Sequence, residues 1–324
     1  MSAPPAGTPT RDRSRHARRP APQRQRRRPL TMRRRESRDG LALVTPTLVV
    51  VLTVVALPIC WTVLLAFQRV RLATLRRTGL FGELTLANFE RVLTSPGFWS
   101  TLWTTVVYSV CATTGSILLG LIAALVVRAP FRGRTLVRAT MLLPYVAPVV
   151  AVTFVWQIML DPQFGIVNHW GQRLLGWDTP IAFLSDDATA LWTVIAFESW
   201  RYFPFAFLFL LARIQAMPGE LEEAARVDGA TPTQRFRHIV APQLMPVIAL
   251  LAVLRFIMTF NKFDDVYLLT GGGAGTEVVS IRVYEFLTAR TDVGAAAAQA
   301  VVLAVVLMVF VAVYLRFFSG RKDD

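Results

Sequence analysis

Residues 217–246, MPGELEEAARVDGATPTQRFRHIVAPQLMP, are a polar stretch between two apolar runs, and they read as two short helices joined by a turn. Pro218 suits a first helical turn, where a missing N–H costs little. The first helix runs through Glu220, Leu221, Glu223, Ala224 and Val227, and Gly229 can take the left-handed conformation that ends it. Thr231 then caps a second helix, with Pro232 at its first position and Gln234 completing a T-x-x-Q capping box. Phe236, Ile239 and Val240 give this helix an apolar face, while the acids of the first helix and Arg235 and Arg237 keep the loop charged and exposed.

Outward from this loop the chain is apolar. Of the 324 residues, 54% are apolar and 17% charged, against about 25% charged in soluble proteins, and the mean hydropathy is +0.46. A helix needs about 20 apolar residues to cross a bilayer. Six runs qualify or come close: 41–67, 102–127, 139–160, 188–212, 244–260 and 293–315. Pro144 and Pro148 mark kinks or unwound segments in the third, and the fifth is short. Backbone groups in lipid must be paired internally, so helices are expected. The predicted fold is an all-α integral membrane protein with six transmembrane helices and one large cytoplasmic loop. The first run is too long for a signal-peptide core and lacks an A-x-A site, so a retained helix is preferred.

The net charge of +14 belongs to a tail. Residues 1–40 hold thirteen arginines and three acids, and the other 284 residues carry only about +4. This segment is expected to be a disordered tail attracted to anionic lipid heads. It lacks the interleaved aromatics and folded module of a nucleic-acid binder, so no nucleic-acid partner is expected. With the N-terminus inside, 24 basic residues lie inside and 9 outside, which puts both termini in the cytoplasm. Without the tail the count is 11 against 9, so the tail carries most of the preference. The expected division is a tail at 1–40, a membrane domain at 41–318 with its loop at 217–246, and a C-terminal tail at 319–324.

Covalent chemistry has little support. The histidines His16, His169 and His238 are far apart, and neither HExxH nor a zinc spacing occurs. There is no GxxxxGK[ST] nucleotide loop. Cys60 and Cys111 sit in apolar runs and read as small buried residues rather than a disulfide or metal pair. No catalytic residue, metal or cofactor is expected. Glu198 alone is a weak general base, so a membrane enzyme is disfavoured; six spans alone would leave a channel or ion-driven transporter open.

The loop resembles the EAA motif of bacterial ABC-importer permeases. Glu223-Ala224-Ala225 is followed by Gly229, Ile239 and Pro242 at that family's spacing, with Asp228-Gly229-Ala230 completing its fuller form; Ala241 replaces the leucine before the proline. Residues 86–108, Gly165 with Asn168, residues 260–273 (FNKFDDVYLLTGGG), Tyr284 and the run from Gly294 are similar to the sugar-type subgroup that includes the first maltose permease. The resemblance covers about residues 41–318; the large inserted outer domain of the maltose subunit is absent. It implies a bacterial inner-membrane subunit that performs no chemistry itself. The implied partners are a second permease, a dimer of ATPase subunits, an extracytoplasmic solute-binding protein and a sugar. It makes 217–246 the coupling helix, with Glu223, Ala224, Ala225, Asp228 and Gly229 as the ATPase contact.

Ionisable residues within spans are costly and face a cavity or a partner. Glu198 and Arg201 are three apart on the fourth run and could pair; an internal ion pair and a substrate contact are both open for them. Carrying over the maltose-type sugar contacts gives Arg201, Tyr202, Phe205, Arg255, Met258, Thr259 and Lys262, with Asn261 adjacent. Several identities depart from that pattern, and an aromatic stripe can also be packing alone. Arg201, Arg255 and Lys262 would suit an anion such as a glycerol phosphate, but Glu198 and Asp264 offset them, so a neutral sugar or oligosaccharide is preferred.

Overall fold

The computed structural model describes residues 43–75 and 82–319. The Arg-rich tail at 1–40 and residues 320–324 lie outside the described residues. Among the described residues the chain is helical, with no strand and only two isolated bridges, Gln68–Leu84 and Arg71–Asp292.

In chain order the helices are α1 (Leu43–Ala66), α2 (Ala87–Thr94), α3 (Phe98–Val126), α4 (Arg134–Val146), α5 (Val149–Leu160) and α6 (Ile166–Leu175). They continue as α7 (Ala190–Gln215), α8 (Gly219–Val227), α9 (Pro232–Phe260), α10 (Asp264–Thr270), α11 (Val279–Thr288) and α12 (Val293–Ser319). Of these, α1, α3, α7, α9 and α12 are each long and apolar enough to cross a membrane; α4 and α5 make a sixth span only if counted together. Residues up to Pro58 form one unit and those from Ile59 onward a second. Apolar residues occupy every side of α1, and none is buried in its most apolar stretch, as suits a helix whose surroundings are lipid.

The core of the second unit is the α3–α7 pair, its most extensive helix contact. Close approach there depends on Gly120, where a Cβ would sit 2.7 Å from the Cβ of Ala206 and the backbone N of Phe207. Small residues at a crossing let backbones pack tightly where lipid offers no hydrophobic driving force. Buried polar side chains tie the connections down. The Asn88 amide donates to the carbonyls of Ala66 (3.0 Å) and Gln68 (2.8 Å). The Asn168 amide donates to Ile181 O (3.0 Å) and its oxygen accepts from Ile181 N (2.7 Å). Arg282 donates to Ser95 Oγ and Pro96 O, both at 2.9 Å, and so fastens α11 to the corner before α3.

Three expectations need correction. The run 139–160 is not a continuous helix: α4 and α5 meet at 95° across Ala147 and Pro148, as a broken span or a re-entrant pair. A residue preceding proline is driven to extended backbone, and Ala147 has ψ 142°. The second loop helix and the short fifth run are not separate either. The helix begun at Pro232 continues through a π turn, Phe236–Val240, into the span, so the loop contains one free helix, α8. Finally, Cys60 is exposed and Cys111 half-buried. An apolar run in a membrane protein can face lipid rather than protein.

Candidate functional site

Two regions hold the candidate residues. The first is a buried ion network built where α7, α9 and the start of α10 meet. From α7 come Glu198, Arg201 and Tyr202, from α9 Arg255 and Thr259, from the connection Lys262, and from α10 Asp264 and Asp265. Glu198 and Asp265 are fully buried, Arg255 and Thr259 are 1% exposed and Arg201 6%.

The pairing differs from the expected one. Glu198 does not pair with Arg201 on its own helix. Its Oε1 accepts from Arg255 Nη2 at 2.9 Å, and Thr259 Oγ1 accepts from the same guanidinium at 3.1 Å. Arg201 instead reaches Asp265, Nε to Oδ1 at 3.8 Å, and donates from Nη2 to Ala147 O at 3.1 Å. It thereby links α7 to the α4–α5 break. Lys262 Nζ lies 3.0 Å from Asp264 Oδ1 and 3.3 Å from Asp265 Oδ2, and donates to the Tyr202 hydroxyl. Burial disfavours the Lys262 ammonium, but the Asp265 and Glu198 carboxylates and the Tyr202 hydroxyl outweigh it and hold it above the usual lysine range.

Tyr202 carries the network to the surface. The Arg255 guanidinium stands 4.3 Å from its ring centre, Lys262 Nζ 4.7 Å and the Arg201 guanidinium 5.6 Å. A cation within about 6 Å of a ring face is attracted by its quadrupole. Beyond Tyr202 runs an aromatic stripe. Tyr145 of α4 meets Tyr202 edge-on at 5.8 Å and Phe205 at 6.3 Å, and Phe205 lies 5.0 Å from Phe209. Tyr145 is 38% exposed. Among the described residues, Glu198 Oε2, Arg201 Nη1 and Arg255 Nε have no hydrogen-bond partner, and Arg201 Nε and the Asp265 oxygens are held by ion pairs alone. Each such buried group costs about 1–3 kcal/mol, which favours any polar ligand or rearrangement that satisfies it.

The eight pathway candidates therefore divide. Arg201, Arg255 and Thr259 lie inside the network, Tyr202, Phe205 and Lys262 lie at its half-buried edge, and Met258 and Asn261 are exposed and outside it. The Asn261 amide turns back to Ile257 O on its own helix. Asp265 and Tyr145 were not singled out from sequence. Asp265 could have been, because it follows Lys262 by three residues. Tyr145 could not, because its partners lie on another helix.

The second region is the loop around α8. Glu220 and Glu222 stand in the first turn, where carboxylates complement the helix dipole. Gly229 has φ +78°, with Gly229 N bonded to Arg226 O and Ala230 N to Ala225 O, so the helix ends in a left-handed turn. The capping box forms: Thr231 Oγ1 accepts from Gln234 N, and Thr231 N donates to Gln234 Oε1 at 2.8 Å. Glu220, Glu223, Ala224 and Val227 follow one helix face, and all four are exposed, Val227 at 88%. Asp228 and Gly229 are exposed and Ala225 is half-buried. On another face, Glu222 pairs with Arg128, just past the end of α3, at 2.7 Å. Among the described residues no group of His, Cys, Asp and Glu could hold a metal.

Comparison with known proteins shows the family and the fold. A family model described as "Binding-protein-dependent transport system inner membrane component" matches residues 116–323. The inner membrane ABC transporter permease protein YcjO of Escherichia coli is 36% identical over 269 residues, covering 83% of this chain and 90% of that one. The trehalose/maltose transport system permease protein MalF of Thermococcus litoralis is 32% identical over 290 residues, covering 89% and 96%. Among solved structures, a bacterial ABC transporter involved in import of the acidic polysaccharide alginate matches with a TM-score of 0.77 at 23% identity. That match covers 91% of this chain and 100% of the other and shows a shared fold.

Proposed function

This chain belongs to the family of binding-protein-dependent transport system inner membrane components, and from that premise we propose that it lines the path of a neutral sugar or oligosaccharide through an ATP-driven importer. The observation that carries the substrate class is the closed charge balance beneath the aromatic stripe. Arg201, Arg255 and Lys262 face Glu198, Asp265 and the half-exposed Asp264, three of each formal sign, so each cation already has a carboxylate beside it. Tyr145, Tyr202 and Phe205 offer ring faces to a sugar, and Lys262 at the edge offers a donor for hydroxyls.

The proposed machine contains this chain, a second permease, two ATPase subunits and an extracytoplasmic binding protein. It sits in the bacterial inner membrane with both termini of this chain in the cytoplasm. The relative named for trehalose and maltose transport supports the sugar class. The exposed face of α8 and the turn at Gly229 support docking to an ATPase through Glu223, Ala224, Ala225, Asp228 and Gly229. ATP binding closes the ATPase dimer, the loop follows, and the spans switch toward the outside. This chain breaks no covalent bond.

One observation favours a second reading, import of a glycerol phosphate or another polyol by the same machine: Arg201 Nη1 and Arg255 Nε have no hydrogen-bond partner and could bind a phosphate. Uptake competition decides between them, with neutral sugars expected to outcompete sugar phosphates and the reverse result overturning the substrate class. Mass spectrometry of what co-purifies after mild detergent extraction tests the machine. An ATPase and a second permease are expected, with the ATPase lost in Glu223→Lys; a chain that purifies alone would leave the channel reading.

A further inference from the structure

The proposed function leaves unused a basic cleft at the foot of the bundle, next to α8. It has a volume of about 370 Å³ and is lined by Leu125, Arg128, Pro232, Thr233, Arg235 and Phe236. That volume is within the range of small-ligand sites, about 300–1,000 Å³. Its cations are unevenly matched. Arg128 holds Glu222 at 2.7 Å. Half-buried Arg235 has no ion pair among the described residues, and its Nε and Nη1 are shielded from solvent with no hydrogen-bond partner there. Next to Arg128, Arg134 and Arg138 donate to the carbonyls of Val127 and Arg128, capping the end of α3 and adding two more positive charges. Glu222 is the only carboxylate that pairs with these four arginines among the described residues. A shielded guanidinium beside a second arginine is a poor resting state without an anion, and guanidinium forks fit phosphate oxygens.

The walls indicate where the anion comes from. Leu125 is in the last turn of α3 and Phe236 near the start of α9, both spans that cross a membrane by length and apolarity. The cleft therefore lies between the loop-side ends of two such helices, with Leu125 and Phe236 as apolar walls and Arg128 and Arg235 as guanidiniums. Basic pockets between spans on the cytoplasmic side suit lipid head groups. We propose that this cleft binds the phosphate of an anionic phospholipid through Arg235 and Arg128, with the Thr233 hydroxyl as a further donor. Through the Arg128–Glu222 pair the bound head group touches α8, so the lipid orders the same helix that the proposed function docks to an ATPase. The site rests on that function only for its side of the membrane. Its test reads lipid retention, not transport, so either claim can fail without the other.

The test is native mass spectrometry of the intact transporter, extracted in mild detergent and supplied with phosphatidylglycerol or phosphatidylcholine at equal concentration. Phosphatidylglycerol is expected to be retained preferentially. Arg235→Gln is expected to lower that preference about fivefold, the scale of one basic residue near an anionic surface, while the exposed Arg237→Gln leaves it unchanged. A melting curve for each variant separates loss of the site from loss of the fold. If a variant unfolds, Arg235→Lys, which keeps the charge but loses the fork, is expected to retain the lipid at an intermediate level. Equal retention of the two lipids would overturn the proposal. So would full displacement of phosphatidylglycerol by millimolar inorganic phosphate, which would make this a soluble-anion site. Retention by the isolated chain that vanishes once the ATPase is bound would also overturn it, by making the cleft part of the protein interface.

Discussion

The ion network and the α8 loop spend charge in opposite ways. In the network, Glu198, Arg255 and Asp265 are removed from water almost completely, and each depends on a partner several helices away in sequence. In the loop, Glu220, Glu223 and Asp228 stand exposed, and among the described residues none of their side chains makes an ion pair. The network is thus an internal structure, whereas the loop is an exposed surface, which the proposed function completes with an ATPase. Removing a residue from the first should damage the fold, and from the second only what the fold communicates.

The largest effect should separate them most sharply. Arg255→Met leaves Glu198 buried and unpaired and should destabilise the protein by about 3–5 kcal/mol, read as a lowered melting temperature in detergent. Adding Glu198→Gln should recover much of that loss; if the double variant melts no higher than the single one, the pair is not the source. Next comes Gly229→Val. At φ +78° a β-branched residue is strained by about 1–2 kcal/mol, while a Cβ there has open space around it. Insertion should therefore survive while ATP-driven uptake in proteoliposomes is lost, and wild-type uptake would sink the coupling role.

Tyr202→Ala should affect both function and fold, because the ring belongs to the stripe and also receives three cations. An uptake KM raised by roughly three- to tenfold, the scale of one aromatic contact, is expected together with a modest loss of stability; a KM unchanged for the transported sugar would move the stripe from pathway to packing. Thr231→Ala should cost about 1 kcal/mol through the lost cap, measurable as faster hydrogen exchange at the amides of residues 233–236. Glu222→Gln should be the smallest, under about 1 kcal/mol, because the Arg128 pair is partly exposed. A larger loss would mean that α8 is held mainly by that pair.

Local chemistry was the legible part of this chain. The cap at Thr231, the turn at Gly229 and four of the six apolar runs each follow from a few adjacent residues, and the structure places them within a few residues of expectation; the runs at 139–160 and 244–260 are the exceptions. The break at Ala147 was only half legible. Pro144 and Pro148 signal a disturbance, but a 95° turn depends on what receives the two halves, including the Arg201 bond to Ala147 O. The network was legible in membership rather than wiring. Charged residues in apolar runs announce themselves, yet helical spacing pointed Glu198 to Arg201, and the nearer geometry belongs to Arg255, 57 residues away. Tyr145 and Arg282 act across helices and leave no local signature.

The continuity of α9 has a consequence for phase. Its 29 residues span about 43 Å at 1.5 Å per residue. One uninterrupted backbone therefore carries both the Thr231 cap and, about 36 Å further on, the backbone of Arg255. Each residue of an α-helix turns the chain by about 100°, so the angle between the two ends is set by a count of residues. One residue inserted after Val240 would swing the loop about 100° relative to Arg255, whereas four would return it close to its original face and shift it by about 6 Å. The π turn at Phe236–Val240, closed by the Ala241 N–H bond to Phe236 O, is where the helix already departs from that count. An adjustment of register between the two ends would start there.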